Sequence, residues 1–271
     1  MRIYTISDLH LDYKENQLWL HNLLEQNNYE RDLLILAGDI TDNFTLLEEA
    51  LAAIKNSFRE VFFVPGNHDL WIRKERKANP MTSFEKFHKI SALLDKLGIK
   101  RSPFHFEGAY EKVSIIPLLG WYDYSFGSLN SGLRGRWMDF FRCDWDGLEE
   151  EDVTAIFIEM NKEHLPDPQS FSKNRENNSK VITFSHFVPR LDLMPTYIPA
   201  KFQAIFPLLG SYKLEEQIRY LKSDIHVFGH THLNMNKILQ GIQYVNNAFG
   251  YPYEHSICRK ELICIYDDFA N

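Results

Sequence analysis

Short apolar runs rich in β-branched and aromatic residues recur along this chain, at Arg2–Ser7, Leu33–Ala37, Val61–Val64, Val113–Leu118, Val181–Ser185, Ile225–Phe228, Ile242–Asn246 and Leu262–Tyr266. Near-continuous runs of this length predict strands buried on both faces. Between several of them the apolar positions fall at helical spacing instead. Asn16–Gln26 places Leu18, Leu20, Leu23 and Leu24 in this way, and Asn43–Phe58 places Leu46, Leu47, Ala50, Leu51 and Ile54. Ser83–Leu97, Glu150–Glu163 and Leu214–Lys222 follow the same rule. Strand alternating with helix predicts an α/β protein.

The 271 residues fit one domain, 1–271, decorated by insertions over about 121–180 and 187–212. Within the first, Leu165–Lys180 is polar enough to predict an exposed loop. The second, rich in proline and aromatics, predicts irregular packed coil. Hydrophobic residues make up 44% of the chain and charged residues 25%, which excludes disordered and fibrous classes. The net charge of −7 argues against a duplex nucleic-acid binder or a peripheral anionic-membrane binder, since both need a basic face. No apolar run approaches the ~18 residues of a membrane span. Three cysteines without a CxxC pair, and an N-terminus without a secretory pattern, predict a reduced, cytoplasmic setting.

Chemistry gathers where strands end. Five runs stop at Asp8-Leu9-His10, Gly38-Asp39, Gly66-Asn67-His68-Asp69, Ser185-His186 and Gly229-His230-Thr231-His232. In α/β sheets, ligands bind beyond the carboxyl ends of strands, so these groups can converge on one crevice. Each piece alone has an ordinary explanation: an Asp after a strand caps or turns the chain, and a single His is usually a satisfied core residue. Their joint occurrence is what points to a site. All the donors are nitrogen or oxygen, which leaves Mn, Fe, Zn, Co and Ni open and disfavours iron–sulfur or cuprous sites.

The ordered set D-x-H, G-D, G-N-H-D, S-H and G-H-x-H, running from Asp8 to His232, resembles the calcineurin-like metallophosphoesterases. The resemblance implies a four-layer αββα sandwich of two mixed sheets and two divalent transition metal ions, with Mn or Fe favoured. By position, it implies that Asp8, His10 and His232 ligate one metal and that Asn67, His186 and His230 complete the second, with Asp39 bridging. His68 would face the phosphate as general acid or oxyanion stabiliser, oriented by Asp69. A hydroxide bridging the metals would attack in line, and the site would carry net positive charge inside an acidic protein.

Within that family, Gly38-Asp39-Ile40-Thr41-Asp42 and GNHD look more like the small-molecule and nucleotide phosphodiesterase branches than the protein phosphatases, and a repair nuclease would bring a basic face. The substrate implied is a small phosphodiester or phosphomonoester. A non-catalytic binding scaffold of the same fold is the competing class; such proteins usually lose ligands, and none is missing here.

Other segments are open between a functional and an ordinary reading. Asp12 is a candidate for orienting His10 or for capping its loop. Trp121–Phe126 reads as a substrate wall or as packing, and Arg134 and Arg136 as anion-steering cations or surface ion pairs. Asn246–Gly250 reads as support for the metal residues or as a turn. The charge run Arg73–Lys77 reads as a solvated face, and Cys258 and Cys264 as buried hydrophobes.

Overall fold

Among the described residues, ten strands and five longer helices follow one another as β1 (Arg2–Ile6), α1 (Lys14–Gln26), β2 (Tyr29–Leu36), α2 (Phe44–Ser57), β3 (Phe58–Phe63), α3 (Ser83–Leu97), β4 (Phe104–Glu107), β5 (Lys112–Pro117), α4 (Glu150–Lys162), β6 (Ser179–Phe184), α5 (Tyr212–Tyr220), β7 (Ile225–Phe228), β8 (Met235–Leu239), β9 (Ile242–Asn246) and β10 (Ile263–Asp267). The computed structural model describes residues 1–26, 28–72, 80–163, 165–166 and 179–269. The charge run Arg73–Lys77 and most of the polar stretch Leu165–Lys180 lie outside the described residues.

The strands form two mixed sheets, one ordered β10-β1-β2-β3 and the other β4-β5-β6-β7-β9-β8. In the first, β1, β2 and β3 run parallel; in the second, β5, β6, β7 and β9 do. Alternation along β2 shows how the layers arise. Leu33 and Ile35 point into an inter-sheet core with Ile3, Phe62, Ile115, Ile182, Phe184 and Val245. Leu34 and Leu36 point the other way, into a cluster that holds Leu47, Leu51 and Ile54 of α2. A strand that meets apolar partners on both faces must be apolar at every position, which is the pattern the sequence carries. Each fully buried aliphatic or Phe side chain in these layers contributes ~1.5–3 kcal/mol.

Eight of the strands and all five longer helices were legible from the pattern. The two that were not, β4 and β8, each pair antiparallel at an outer edge of the larger sheet. Both are half exposed, so their apolar runs are interrupted.

Local signals set the helix ends near the crevice. Asn43 accepts hydrogen bonds from the amides of Thr45 and Leu46 at 3.0 and 3.3 Å and starts α2 directly after the Asp39 loop. Thr82 and Glu85 form a reciprocal capping box on α3. From α3 the buried Lys86 donates to the carbonyls of Asp42 at 2.7 Å and Trp71 at 2.5 Å, tying the loops after β2 and β3 to one helix. No helix among the described residues is long and apolar enough to cross a membrane. Cys143, Cys258 and Cys264 are free; Cys258 is buried as expected, whereas Cys264 is exposed on β10.

Candidate metal centre

The parallel strands of both sheets end on the same side and deliver their motif residues to one place. Asp8 and His10 follow β1, Asp39 follows β2, Asn67 and His68 follow β3, His186 follows β6, and His230 and His232 follow β7. The backbone is bent hard to do this. Asp8, His10, Asp39, His230 and His232 have φ between 42° and 69°, and they are five of the ten non-glycine residues at positive φ among the described residues. Such conformations are costly for L-residues and concentrate where a site requires them. Two glycines show how little room remains. A Cβ on Gly229 would lie 2.7 Å from Oδ2 of Asp8, and one on Gly66 would collide with the Asp39 carboxylate.

Ligating atoms fall into overlapping groups within 4.8 Å of one another: Asp8, His10 and His232; His10, Asp39 and His68; Asp8, Asp39 and His186. Asp39 lies between, with Oδ2 3.6 Å from Nε2 of His186 and 4.0 Å from Nε2 of His10. The opposite corner is the most telling. Nδ1 of His186 lies 2.9 Å from the Ala37 carbonyl, and Nε2 of His230 lies 3.0 Å from the Leu208 carbonyl. A carbonyl only accepts, so those ring nitrogens carry the protons and the inner ones are bare. The bare nitrogens stand 3.3 Å apart, and each is 3.1 Å from Oδ1 of Asn67. Three lone pairs meet with no hydrogen between them, an arrangement that a cation satisfies. The donor set therefore fits a metal ion.

Electrostatics agree with that fit. Burial pushes His186 and His230 down to about 4 and holds His10 and His68 well below the ordinary imidazole value, so all four are neutral at pH 7, the form that ligates. Burial opposes the charge on Asp8, but His232 beside it holds the carboxyl below its usual range. On His232 burial pulls down, yet Asp8 and Glu254 on either side override it and lift the ring to about 9. That corner favours positive charge.

One expected contact is replaced by another. Asp69 does not orient the His68 ring. Its Oδ1 accepts from the amides of Ile40 and Thr41, and its Oδ2 from those of Asp39 and Gly66, at 2.8–3.2 Å. Four donors occupy the lone-pair directions of one carboxylate, so its task is to clamp the second and third motif loops together. Burial still raises Asp69 to about 6 against those four amides. The His68 imidazole is held instead by Trp71, stacked with ring centroids 3.5 Å apart.

The centre opens into a pocket of about 300 Å³ lined by Asn67, His68, Trp71, Arg136, Trp137, Met138, Tyr251 and Glu254, among others. Trp121 and Tyr122 do not form its wall. Both are fully buried, with Trp121 packed on Trp145 and Phe187. The aromatic wall is Trp71, Trp137 and Tyr251, and Tyr251 packs 4.5 Å from the His10 ring.

Of the two decorated segments only the first reaches this pocket, through Arg136–Asp139. The second contributes the Leu208 carbonyl. Arg134 pairs with Glu149 at 2.7 Å, as a surface cation would, whereas Arg136 is exposed at the pocket rim. Asp12 accepts from the Thr41 hydroxyl at 3.0 Å and links two motif loops. Asn246 donates to the Gly229 carbonyl and Asn247 to that of Thr5, so these residues at the end of β9 brace the motif loops.

Four residues escaped the sequence reading. Glu254 and Tyr251 lie in a loop without a motif, and Trp71 and Asp139 look there like ordinary packing and capping residues.

A family model described as calcineurin-like phosphoesterase matches residues 1–234. The chain is 23% identical over 274 residues to the [acyl-carrier-protein] phosphodiesterase PptH of Mycobacterium tuberculosis, covering 93% of this chain and 78% of that protein. The crystal structure of PptH, a phosphopantetheinyl hydrolase, superposes with a TM-score of 0.78 at 19% identity, covering 100% of this chain and 98% of that one. TT1561 of Thermus thermophilus gives a TM-score of 0.48 at 11% identity, over 91% of this chain and 89% of that one.

Proposed function

This chain belongs to the calcineurin-like phosphoesterases, and from that premise we propose that it hydrolyses a phosphodiester with one arm small enough for the 300 Å³ pocket. The observation that carries this reading is the corner where Asn67, His186 and His230 turn three lone pairs on one point. With the Asp8, His10 and His232 group and Asp39 between them, the chain keeps a complete set for two ions. A scaffold that had lost catalysis would have no need to hold it.

In this reading Asp8, His10 and His232 hold one ion, Asn67, His186 and His230 the other, and Asp39 serves both. Mn or Fe suits such mixed nitrogen and oxygen donors. Bound there, two such ions supply positive charge for the phosphate and lower the pKa of the attacking water. The protein's own residues do the rest. Asp69 keeps the Asp39 and Asn67 loops in register, and Trp71 presents the His68 edge to the pocket. His68 stabilises or protonates an oxygen of the reacting phosphate.

The substrate reading extends to the second arm. PptH is described as acting on acyl carrier protein, so the partner here is taken as a phosphopantetheine-bearing carrier protein, the small arm seated against Trp71, Trp137 and Tyr251. This widens the expectation of a wholly small substrate. A cytoplasmic location belongs to the same reading, supported by three free cysteines.

The test is a panel at fixed Mn²⁺ and moderate salt: a chromogenic phosphodiester, a nucleoside monophosphate, a holo acyl carrier protein, duplex DNA and a phosphoprotein. Mass spectrometry should show phosphopantetheine released from the carrier, and both this and chromogenic diester hydrolysis should stop in chelator. Preference for duplex DNA or the phosphoprotein overturns the substrate reading; full activity in metal-free protein overturns the metal reading.

A further inference from the structure

Asn67 can turn either end of its amide toward the metal corner, and only one end can ligate. Oδ1 has lone pairs; Nδ2 carries two protons and would repel an ion. The motif itself does not choose between them. The choice is made by a residue from the first decorated segment, 72 positions further along the chain.

Asp139 opens the short helix Asp139–Arg142 and is 2% exposed. Its Oδ1 accepts from Nδ2 of Asn67 at 2.9 Å and from the indole N–H of Trp71 at 2.7 Å. Its Oδ2 accepts from the indole N–H of Trp137 at 2.7 Å. With N–H groups already directed at both of its oxygens, the Asp139 carboxyl group presents an acceptor to Asn67, so the amide has its Nδ2 held outward and its Oδ1 aimed at His186 and His230. The two indoles matter as well. Trp71 stacks on His68, and Trp137 stands edge-on to His230 with centroids 6.0 Å apart. One buried carboxylate thus touches a proposed metal ligand and two of the three aromatic residues of the pocket wall.

We propose that Asp139 is the positioning residue of the second metal site, fixing the Asn67 amide in its ligating orientation and setting the Trp71 and Trp137 walls in the same act. The inference rests on the dimetal reading of the centre. It goes beyond the motif because the deciding group lies in an element that the ligand pattern does not contain. A partner that orients a ligand typically changes metal affinity by ~10–100-fold when removed. Removing it should weaken the second ion and spare the first, since Asp8, His10 and His232 have no bond to Asp139.

The experiment is Mn²⁺ binding by competition with a chelating dye, beside thermal melts, for wild type, Asp139→Ala, Asp139→Asn, Asn67→Asp and the double variant Asn67→Asp/Asp139→Asn. Asp139→Ala should weaken the second ion by at least ~10-fold and leave the first unchanged. Asp139→Asn keeps a carbonyl acceptor for Asn67 and should recover most of that loss. Asn67→Asp alone sets two carboxylates face to face. Adding Asp139→Asn restores a donor–acceptor pair, so the double variant should bind the second ion at least ~10-fold more tightly than Asn67→Asp.

Wild-type affinities in Asp139→Ala, or equal weakening of both ions, overturns the proposal. If Asp139→Ala does not fold, identical affinities in Asn67→Asp and the double variant do so. Hydrolysis is not read in this experiment. A protein that cleaves none of the panel yet shows this coupling retains the positioning role, and a phosphodiesterase without the coupling loses only that role.

Discussion

The Glu254 carboxylate lies 2.6 Å from Nδ1 of His232, while Nε2 of the same ring faces Oδ1 of Asp8 at 3.3 Å. The imidazole is therefore strung between two carboxylates, one outside the centre and one inside it. With Nδ1 bonded outward, Nε2 is the inward position, which an incoming cation takes in exchange for its proton, and the negative charge of Glu254 makes that nitrogen more basic. Glu254 is itself anchored by the amide of Tyr251 at 2.7 Å. Glu254→Gln should weaken the ion held by Asp8, His10 and His232 by about tenfold or more and spare the other. Metal titration against a chelating dye checks this; equal affinity in wild type and variant would show that Glu254 only fills space.

His68 and Asp39 should separate in function although their side chains are neighbours, with Nε2 and Oδ2 3.9 Å apart. His68→Ala is expected to keep both ions while slowing turnover by ~10²–10⁴-fold, the loss typical of a residue that stabilises or protonates in the transition state. Asp39→Asn should weaken both ions, because its carboxylate faces both groups. Metal content by elemental analysis, read beside kcat, decides between them. Equal metal loss in the two variants would place His68 among the ligands.

Another buried histidine, His226, is expected to set part of the acid stability. His226 lies between Thr183 and Ser185, with Nδ1 2.8 Å and Nε2 3.2 Å from their hydroxyls, and burial pushes it down to about 3. Folded protein keeps this ring neutral, whereas the unfolded chain protonates it below about pH 6.5. The unfolded state binds more protons in that window, so the stability due to His226 is complete above pH 6.5 and is lost as pH falls toward 3. Each such group contributes a slope of up to ~1.4 kcal/mol per pH unit. Asp69, raised to about 6, acts in the opposite sense, so the informative quantity is a difference between variants. Urea melts of chelator-treated wild type and His226→Gln between pH 4.5 and 7 should show a shallower acid limb in the variant. Parallel limbs would mean that the ring is not held neutral.

Periodicity alone determined the order of the elements and the α/β class, because a strand packed on both faces must be apolar throughout and a helix packed on one face must not; the division of the strands into two sheets was implied only by the family resemblance. β2 and α2 are clear for that reason, and the half-exposed edge strands β4 and β8 are obscure for the same one. Order and spacing also singled out the nine motif residues as candidates, since each sits where a strand ends and the chemistry of its donor atoms is local.

The sequence could not show what holds those donors in place. The family resemblance implied that Asp69 orients His68, yet four backbone amides converge on its carboxylate and leave nothing for the ring. Trp71, Tyr251, Glu254 and Asp139 carry no motif. Their roles depend on which loops meet across two sheets, with partners 3, 241, 22 and 72 positions away. Local chemistry is written in residue types; the orientation of an amide or an imidazole is written in its acceptor, and only the tertiary fold brings that acceptor to it.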